Sequence, residues 1–204
     1  MKIRWTVIPH GRKKAVRDLA PGTDPSNPPL TDEARRDAAT LAETLAELHG
    51  RPDIIFVSTR IRAQQTAERA IELFGRHELD GCPVVAINLL GQPDSGDLDR
   101  SHPQADADGL VCYGQRTNDP QWLDWTRQAR RLMIGMIGEM FEPPRPLQAW
   151  VFGHRPTAGA FRWLATNGPN QLPADGELKV LDPCLLPYLF FAESEVGGLR
   201  LIPR

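Results

Sequence analysis

The chain has 204 residues, 41% of them hydrophobic and 25% charged, with a formal net charge of -2. That length suits one domain with a substantial core and is slightly short for two. A nearly balanced charge excludes a surface given over to nucleic acid or to an anionic membrane. The three cysteines, Cys82, Cys112 and Cys184, are widely spaced and without a CxxC pair. They form neither a disulfide framework nor a zinc cluster, and they fit a reducing, cytoplasmic setting. The opening MKIRWTVIPHG lacks the apolar stretch of a signal peptide, and no later segment approaches membrane-spanning length.

Lys2 to Ile8 is rich in β-formers and reads as a strand that stops at Pro9-His10-Gly11. A loop rich in Pro, Gly, Asn and Asp runs from Ala20 to Pro29. Thr31, followed by Asp32 and Glu33, predicts a helix N-terminus. Ala38, Leu41, Ala42, Leu45 and Leu48 form its apolar stripe, and Gly50 and Pro52 end it. Ile54 to Val57 is a short continuous apolar run, as in a strand buried on both faces. A helix over Ala63 to Phe74 and a strand over Val84 to Asn88 follow.

Leu90 to Asp119 is polar and too long for a plain connection, so it reads as an insert at about 90–119 that lines a site. Gln121 to Phe141 is a long helix whose stripe of Trp125, Ala129, Leu132, Met133, Met136 and Met140 is read as core. Gln148 to Gly153 is a further buried strand, then a helix runs from about Thr157 to Thr166 with Pro156 near its first turn. Leu185 to Ala192 and Leu199 to Ile202 pair as a terminal hairpin across Gly197-Gly198. The order implies a three-layer α/β/α sandwich around a mostly parallel sheet, one domain over residues 1–204.

His10 and His154 both fall where a predicted strand ends. In open α/β sheets the crevice beyond the carboxyl ends of the strands is where ligands bind. If both strands are central and parallel, the two imidazoles face one crevice, and the amides opening the helix after His154 suit an anion there. His49, His77 and His102 have no such placement and read as ordinary surface or core residues. A third strand ends at Ser58-Thr59-Arg60-Ile61-Arg62-Ala63. Two arginines at a helix start oppose the helix dipole; either they snorkel over the surface, or a bound phosphate supplies the missing negative charge. Arg12, Lys13, Lys14 and Arg17 form a basic cluster, read either as a solvated loop or as a positive rim around that anion site.

Together these segments resemble the histidine phosphatase superfamily, which includes the cofactor-dependent phosphoglycerate mutases. That family opens with a strand and Arg-His-Gly, against Pro9-His10-Gly11 here. It continues with Pro-Leu-Thr before a helix, against Pro29-Leu30-Thr31. It carries Ser-Ser-x-x-x-Arg-Ala-x-Gln-Thr-Ala, against STRIRAQQTA from Ser58, with Arg62, Ala63, Gln65, Thr66 and Ala67 coinciding. Its later strand ends in a second histidine, matched by Val151-Phe152-Gly153-His154.

The resemblance implies a phosphoglycerate mutase-like fold and two-step phosphoryl transfer. His10 would be the nucleophile, with Arg62 and His154 on the equatorial oxygens of a small phosphorylated substrate. It implies no metal and no cofactor. Position 9 departs from the family, because proline stands where an arginine grips the phosphate. Arg12, Arg60 and Arg155 are candidate replacements, with Arg155 the first choice, and Gly11 is a further phosphate-binding candidate. The family's glutamate acid has no counterpart in NLLGQPDSGDLD, which leaves Asp94 and Asp97 as the acid candidates. The departures also admit a second function, a catalytically impaired protein that binds a phosphorylated ligand or partner. Neither nucleic acid nor membrane is expected as a partner. Trp5 and Trp122, read as exposed, together with the terminal hairpin, are candidate contacts for a homodimer.

Overall fold

A computed structural model describes residues 2–75, 81–90, 120–141, 145–167, 189–193 and 198–201. In chain order these form β1 (Ile3–Pro9), α1 (Asp32–His49), β2 (Ile54–Ser58), α2 (Ile61–Phe74) and β3 (Val84–Ile87). Then come α3 (Pro120–Met140), β4 (Leu147–Gly153), α4 (Arg155–Asn167), β5 (Leu189–Glu193) and β6 (Leu199–Leu201). The six strands make one sheet in the order β3-β2-β4-β1-β5-β6. The first four are parallel, and β5 and β6 add an antiparallel hairpin at the β1 edge. Among the described residues no helix is long and apolar enough to cross a membrane.

Strand periodicity builds the two faces. Ile3, Trp5 and Val7 of β1 join Ile54 and Phe56 of β2 and Ala149 and Val151 of β4 on one face, under Ala129, Met133 and Ile137 of α3 and Phe161 of α4. Ile8, Ile55, Val57, Trp150 and Phe152 point the other way, under Ala42 and Leu45 of α1 and Ala67 and Ala70 of α2. This double burial explains why β2 and β4 read as apolar runs rather than as alternating strands. The layering is the expected three-layer sandwich.

Helix caps follow the local chemistry. Thr31 stays extended and its Oγ1 accepts from the Ala34 amide at 3.2 Å, closing the first turn of α1. Gly50 leaves the other end at a φ of +76°, a conformation that side chains resist, while its amide still donates to the Ala46 carbonyl.

Several expectations are corrected. β1 runs through Pro9, which pairs with Gly153 rather than ending the strand before it. β3 stops at Ile87, because Asn88–Leu90 tightens into a 3-10 turn that buries Leu90. Leu48, Leu132 and Met140 are 62%, 40% and 50% exposed, so they sit on the rims of their stripes rather than in the core. Trp5 is completely buried, packed between Phe56 and Phe161 at ring separations of 6.4 and 6.2 Å, and offers no surface to a second copy. Trp122 lies in α3, but its side chain is outside the described residues, as are the turn at Gly197 and most of the 90–119 insert.

Candidate active site

Parallel pairing assembles the site. β1 and β4 are hydrogen-bonded neighbours in a register that sets Pro9 opposite Gly153, so both strands finish level. The next residue in each chain is a histidine. The His10 amide extends the ladder by donating to the Gly153 carbonyl at 2.9 Å. The two imidazoles then meet edge to face, with ring centroids 4.9 Å apart and planes at 77°. On its other side β4 pairs with β2, and the β2–α2 turn brings Ser58, Arg60 and Arg62 to the same end of the sheet.

The tautomer of His10 follows from its partners. Its Nδ1 lies 2.7 Å from the Gly11 carbonyl, which can only accept, so Nδ1 carries the proton. Its Nε2 lies 3.1 Å from Nε of Arg62, which can only donate, so Nε2 presents a lone pair. The imidazole is thereby neutral, with its lone-pair nitrogen turned toward the arginine. Gly11 matters for this geometry: a Cβ at that position would come within 2.9 Å of the Ala34 Cβ on α1. Only glycine lets the chain run that close to the helix while its carbonyl holds His10.

His154 is 3% exposed and Arg62 5% exposed. The His154 imidazole is held well below its usual range, first by burial, then by His10, which would set a second charged ring beside it whenever it is protonated, and then by the guanidiniums of Arg62 and Arg60. It is neutral at neutral pH. Its Nε2 is 3.2 Å from the Ser58 hydroxyl, which fixes the ring. α4 opens immediately after it, and the His154 carbonyl accepts from the Ala158 amide, so the helix presents its N-terminus at this end of the sheet. A buried guanidinium set against neutral imidazoles makes a positive, partly desolvated corner that attracts anions.

The other predicted residues are distributed less tightly. Arg60 is half-buried at the N-cap of α2, while Arg12 is exposed. In the basic cluster, Lys14 stands 3.8 Å from Asp32 and Arg17 3.8 Å from Asp18, so part of the rim is offset by acids. Arg155 opens α4, but its side chain is outside the described residues, as are Asp94 and Asp97 entirely. His49 ends α1, and its carbonyl accepts from the Gln148 side-chain amide, an ordinary structural role.

Three residues to which the sequence reading gave no role are positioning residues. Ser58 holds His154; as the last residue of β2 it met the strand-end criterion that singled out the histidines. Asn27 accepts from the Ile61 amide at 3.1 Å, so the β1–α1 loop caps α2. Gln65 accepts from the Leu30 amide at 2.7 Å, pinning the same loop three residues along the helix from Arg62. No sequence signal marks Asn27, because its partner lies across the fold.

The family model of the histidine phosphatase superfamily (branch 1) matches residues 7–131. This chain belongs to that superfamily. The solved structures similar to it include a mycobacterial hydrolase, at 17% identity and a TM-score of 0.62, with 100% of this chain and 98% of that one covered. A mycobacterial glucosyl-3-phosphoglycerate phosphatase aligns at 17% identity and a TM-score of 0.59, covering 98% and 97%. A phosphoglycerate mutase from Plasmodium falciparum aligns at 12% identity and a TM-score of 0.58, covering 100% and 91%. At such identities the likeness is one of fold, and it is the phosphoglycerate mutase-like fold. No curated protein sequence matches the chain.

Proposed function

We propose that this protein is a phosphomonoester hydrolase that acts on a small phosphorylated molecule through a phosphohistidine on His10. The observation that carries the reading is the pair of contacts on His10, Nδ1 to the Gly11 carbonyl at 2.7 Å and Nε2 to Arg62 at 3.1 Å. They leave a neutral imidazole whose one Nε2 electron pair accepts from a buried cation and turns to phosphorus once a phosphate draws that guanidinium onto its own oxygens. Nε2 attacks phosphorus in line, the P–N bond forms, and the ester P–O bond breaks. The leaving oxygen takes a proton from a general acid, for which Asp94 and Asp97 are the candidates. The same group, now a carboxylate, takes a proton from water as that water attacks the phosphohistidine; the P–N bond breaks, and inorganic phosphate leaves as His10 returns to its neutral form. Arg62 and His154 stabilise the equatorial oxygens, which is most of what phosphoryl transfer asks of a protein.

The test is incubation with p-nitrophenyl phosphate without added metal, comparing the parent with His10→Ala. The parent should release phosphate and trap an acid-labile phosphoryl adduct on His10; the variant should do neither. Equal rates in both proteins, or activity only with a divalent metal, would overturn the assignment. Phosphate binding without turnover, abolished in Arg62→Ala, would instead favour a binding protein. Pro9, which removes the family's arginine, is the observation behind that second reading.

A further inference from the structure

Pro9 raises a geometric question, since its pairing with Gly153 fixes this position at the floor of the site without a guanidinium. Three arginines adjoin site residues in the sequence: Arg12 after Gly11, Arg60 before Arg62 and Arg155 after His154. Arg12 is exposed, with its carbonyl tied to the Thr31 amide at the base of the loop. Arg155 follows His154 into α4.

Arg60 is placed differently. It is half-buried in the β2–α2 turn, extended at φ -76° and ψ 135°, and its carbonyl accepts from the Ala63 and Gln64 amides at 3.0 and 3.1 Å. Its amide donates to the Ser58 hydroxyl at 3.3 Å, and that same hydroxyl is 3.2 Å from His154 Nε2. One hydroxyl therefore ties the Arg60 backbone to the second histidine. On the outer side Asn27 caps the adjoining Ile61 amide, which brings the β1–α1 loop against the turn. The charge of Arg60 is felt on both sides. It is among the causes that lower His154, after burial, His10 and Arg62, and it is the last of those lowering Asp24 in that loop, behind the Ser26 hydrogen bonds.

We propose that Arg60 supplies the second guanidinium to the transferred phosphate, replacing from the β2–α2 turn the arginine that Pro9 removes from the end of β1. The inference rests on the reading of His10 as phosphate acceptor. Arg60 and Arg62 then form a pair on one helix turn: Arg62 sits at the buried floor beside Nε2, and Arg60 closes over the phosphate from the half-buried rim. Guanidinium forks suit phosphate oxygens better than an ammonium does, so lysine should substitute only in part.

The experiment measures binding of inorganic phosphate and orthovanadate by calorimetry, and kcat/KM on p-nitrophenyl phosphate. The proteins are the parent, Arg60→Ala, Arg60→Gln, Arg60→Lys, Arg155→Ala and the double variant Pro9→Arg/Arg60→Ala. Arg60→Ala and Arg60→Gln should lower kcat/KM by on the order of 10²–10³, the usual loss for one preorganised donor, with weaker anion binding and an unchanged Tm. Arg60→Lys should recover part of the loss. Pro9→Arg should rescue Arg60→Ala to within about tenfold of the parent, because one donor then replaces the other. A loss in Arg155→Ala with none in Arg60→Ala would place the second guanidinium on α4 and overturn the proposal.

Parent-like binding and turnover in both Arg60→Ala and Arg60→Gln would overturn the proposal and leave the role of His10 intact. A loss matched by a fall in Tm, with no rescue by Pro9→Arg, would make Arg60 structural and overturn it equally. Full activity in His10→Ala would overturn the underlying reading as well.

Discussion

The two ends of the sheet carry similar side chains put to opposite use. At the amino ends of β2 and β4, Arg145 meets Asp53 through two bonds, Nη2 to Oδ1 at 2.6 Å and Nη1 to Oδ2 at 3.0 Å. Asp53 also accepts from the Gln148 amide at 2.7 Å. Here a cavity of about 560 Å³ is lined by Arg51, Asp53, Cys82, Met140 and Arg145. Burial pushes the Cys82 thiol up to about 11, so it packs rather than reacts. At the carboxyl ends, by contrast, Arg62 is more deeply buried and faces an imidazole. A guanidinium matched by a carboxylate closes its own field and joins strands. One set beside imidazole rings at the strand ends stands where an incoming anion would meet it.

That contrast can be broken first at Arg62. Arg62→Ala should lower kcat/KM on an aryl phosphate by on the order of 10²–10³ and abolish orthovanadate binding, since it removes the buried donor beside Nε2. Parent-like kinetics would mean that this guanidinium does not serve the reaction. A smaller loss, roughly tenfold to a hundredfold, is expected for Gly11→Ala, because misplacing a reacting group by about 1 Å costs about that much. The added methyl would push the chain off Ala34 and tilt His10. Unaltered turnover in Gly11→Ala would show that the carbonyl contact does not set the ring.

His154 sharpens the comparison through protons. Its folded-state affinity for a proton is depressed, so below the ordinary imidazole value of 6.5 the unfolded chain binds protons that the folded chain refuses. Stability should therefore fall as pH drops from 7 toward 5, and His154→Asn should flatten that slope in denaturant midpoints. Phosphate would reverse the unfavourable charge around the ring. Its binding should be accompanied by proton uptake, read by calorimetry in two buffers of different ionisation enthalpy. Identical heats in the two buffers would contradict this.

The smallest kinetic effect is expected at the opposite end. Asp53→Ala should cost about 1–3 kcal/mol of stability by leaving the Gln148 amide without its acceptor, with kcat/KM within about twofold of the parent. A large kinetic loss there would mean that the two ends are coupled.

Much of this contrast was legible in the chain itself. Apolar runs at Ile54 to Val57 and Gln148 to Gly153 marked central strands, and the strand-end rule picked out His10 and His154 before any fold was in hand. Arg62 stood out because a cation near a helix N-terminus works against the dipole. Rim positions were misread, as at Leu48, Leu132 and Met140, because helical periodicity locates a stripe but not where the neighbouring layer stops. Trp5 was misread for a related reason: strand alternation puts it on one face with Ile3 and Val7 but does not show that α3 and α4 cover that face.

By itself, then, the sequence determined the order of the elements, the sheet's parallel character and the residue types at its carboxyl ends. These are local matters of periodicity, capping and turn chemistry. Only the tertiary structure decided the register of Pro9 against Gly153, which makes two histidines remote in sequence into neighbours 4.9 Å apart. It also decided the neutral tautomer of His10 and the tie from Arg60 through Ser58 to His154, because each depends on partners supplied by a different strand or loop. Hydrogen bonds across strands fix these distances, and no spacing within one segment encodes them.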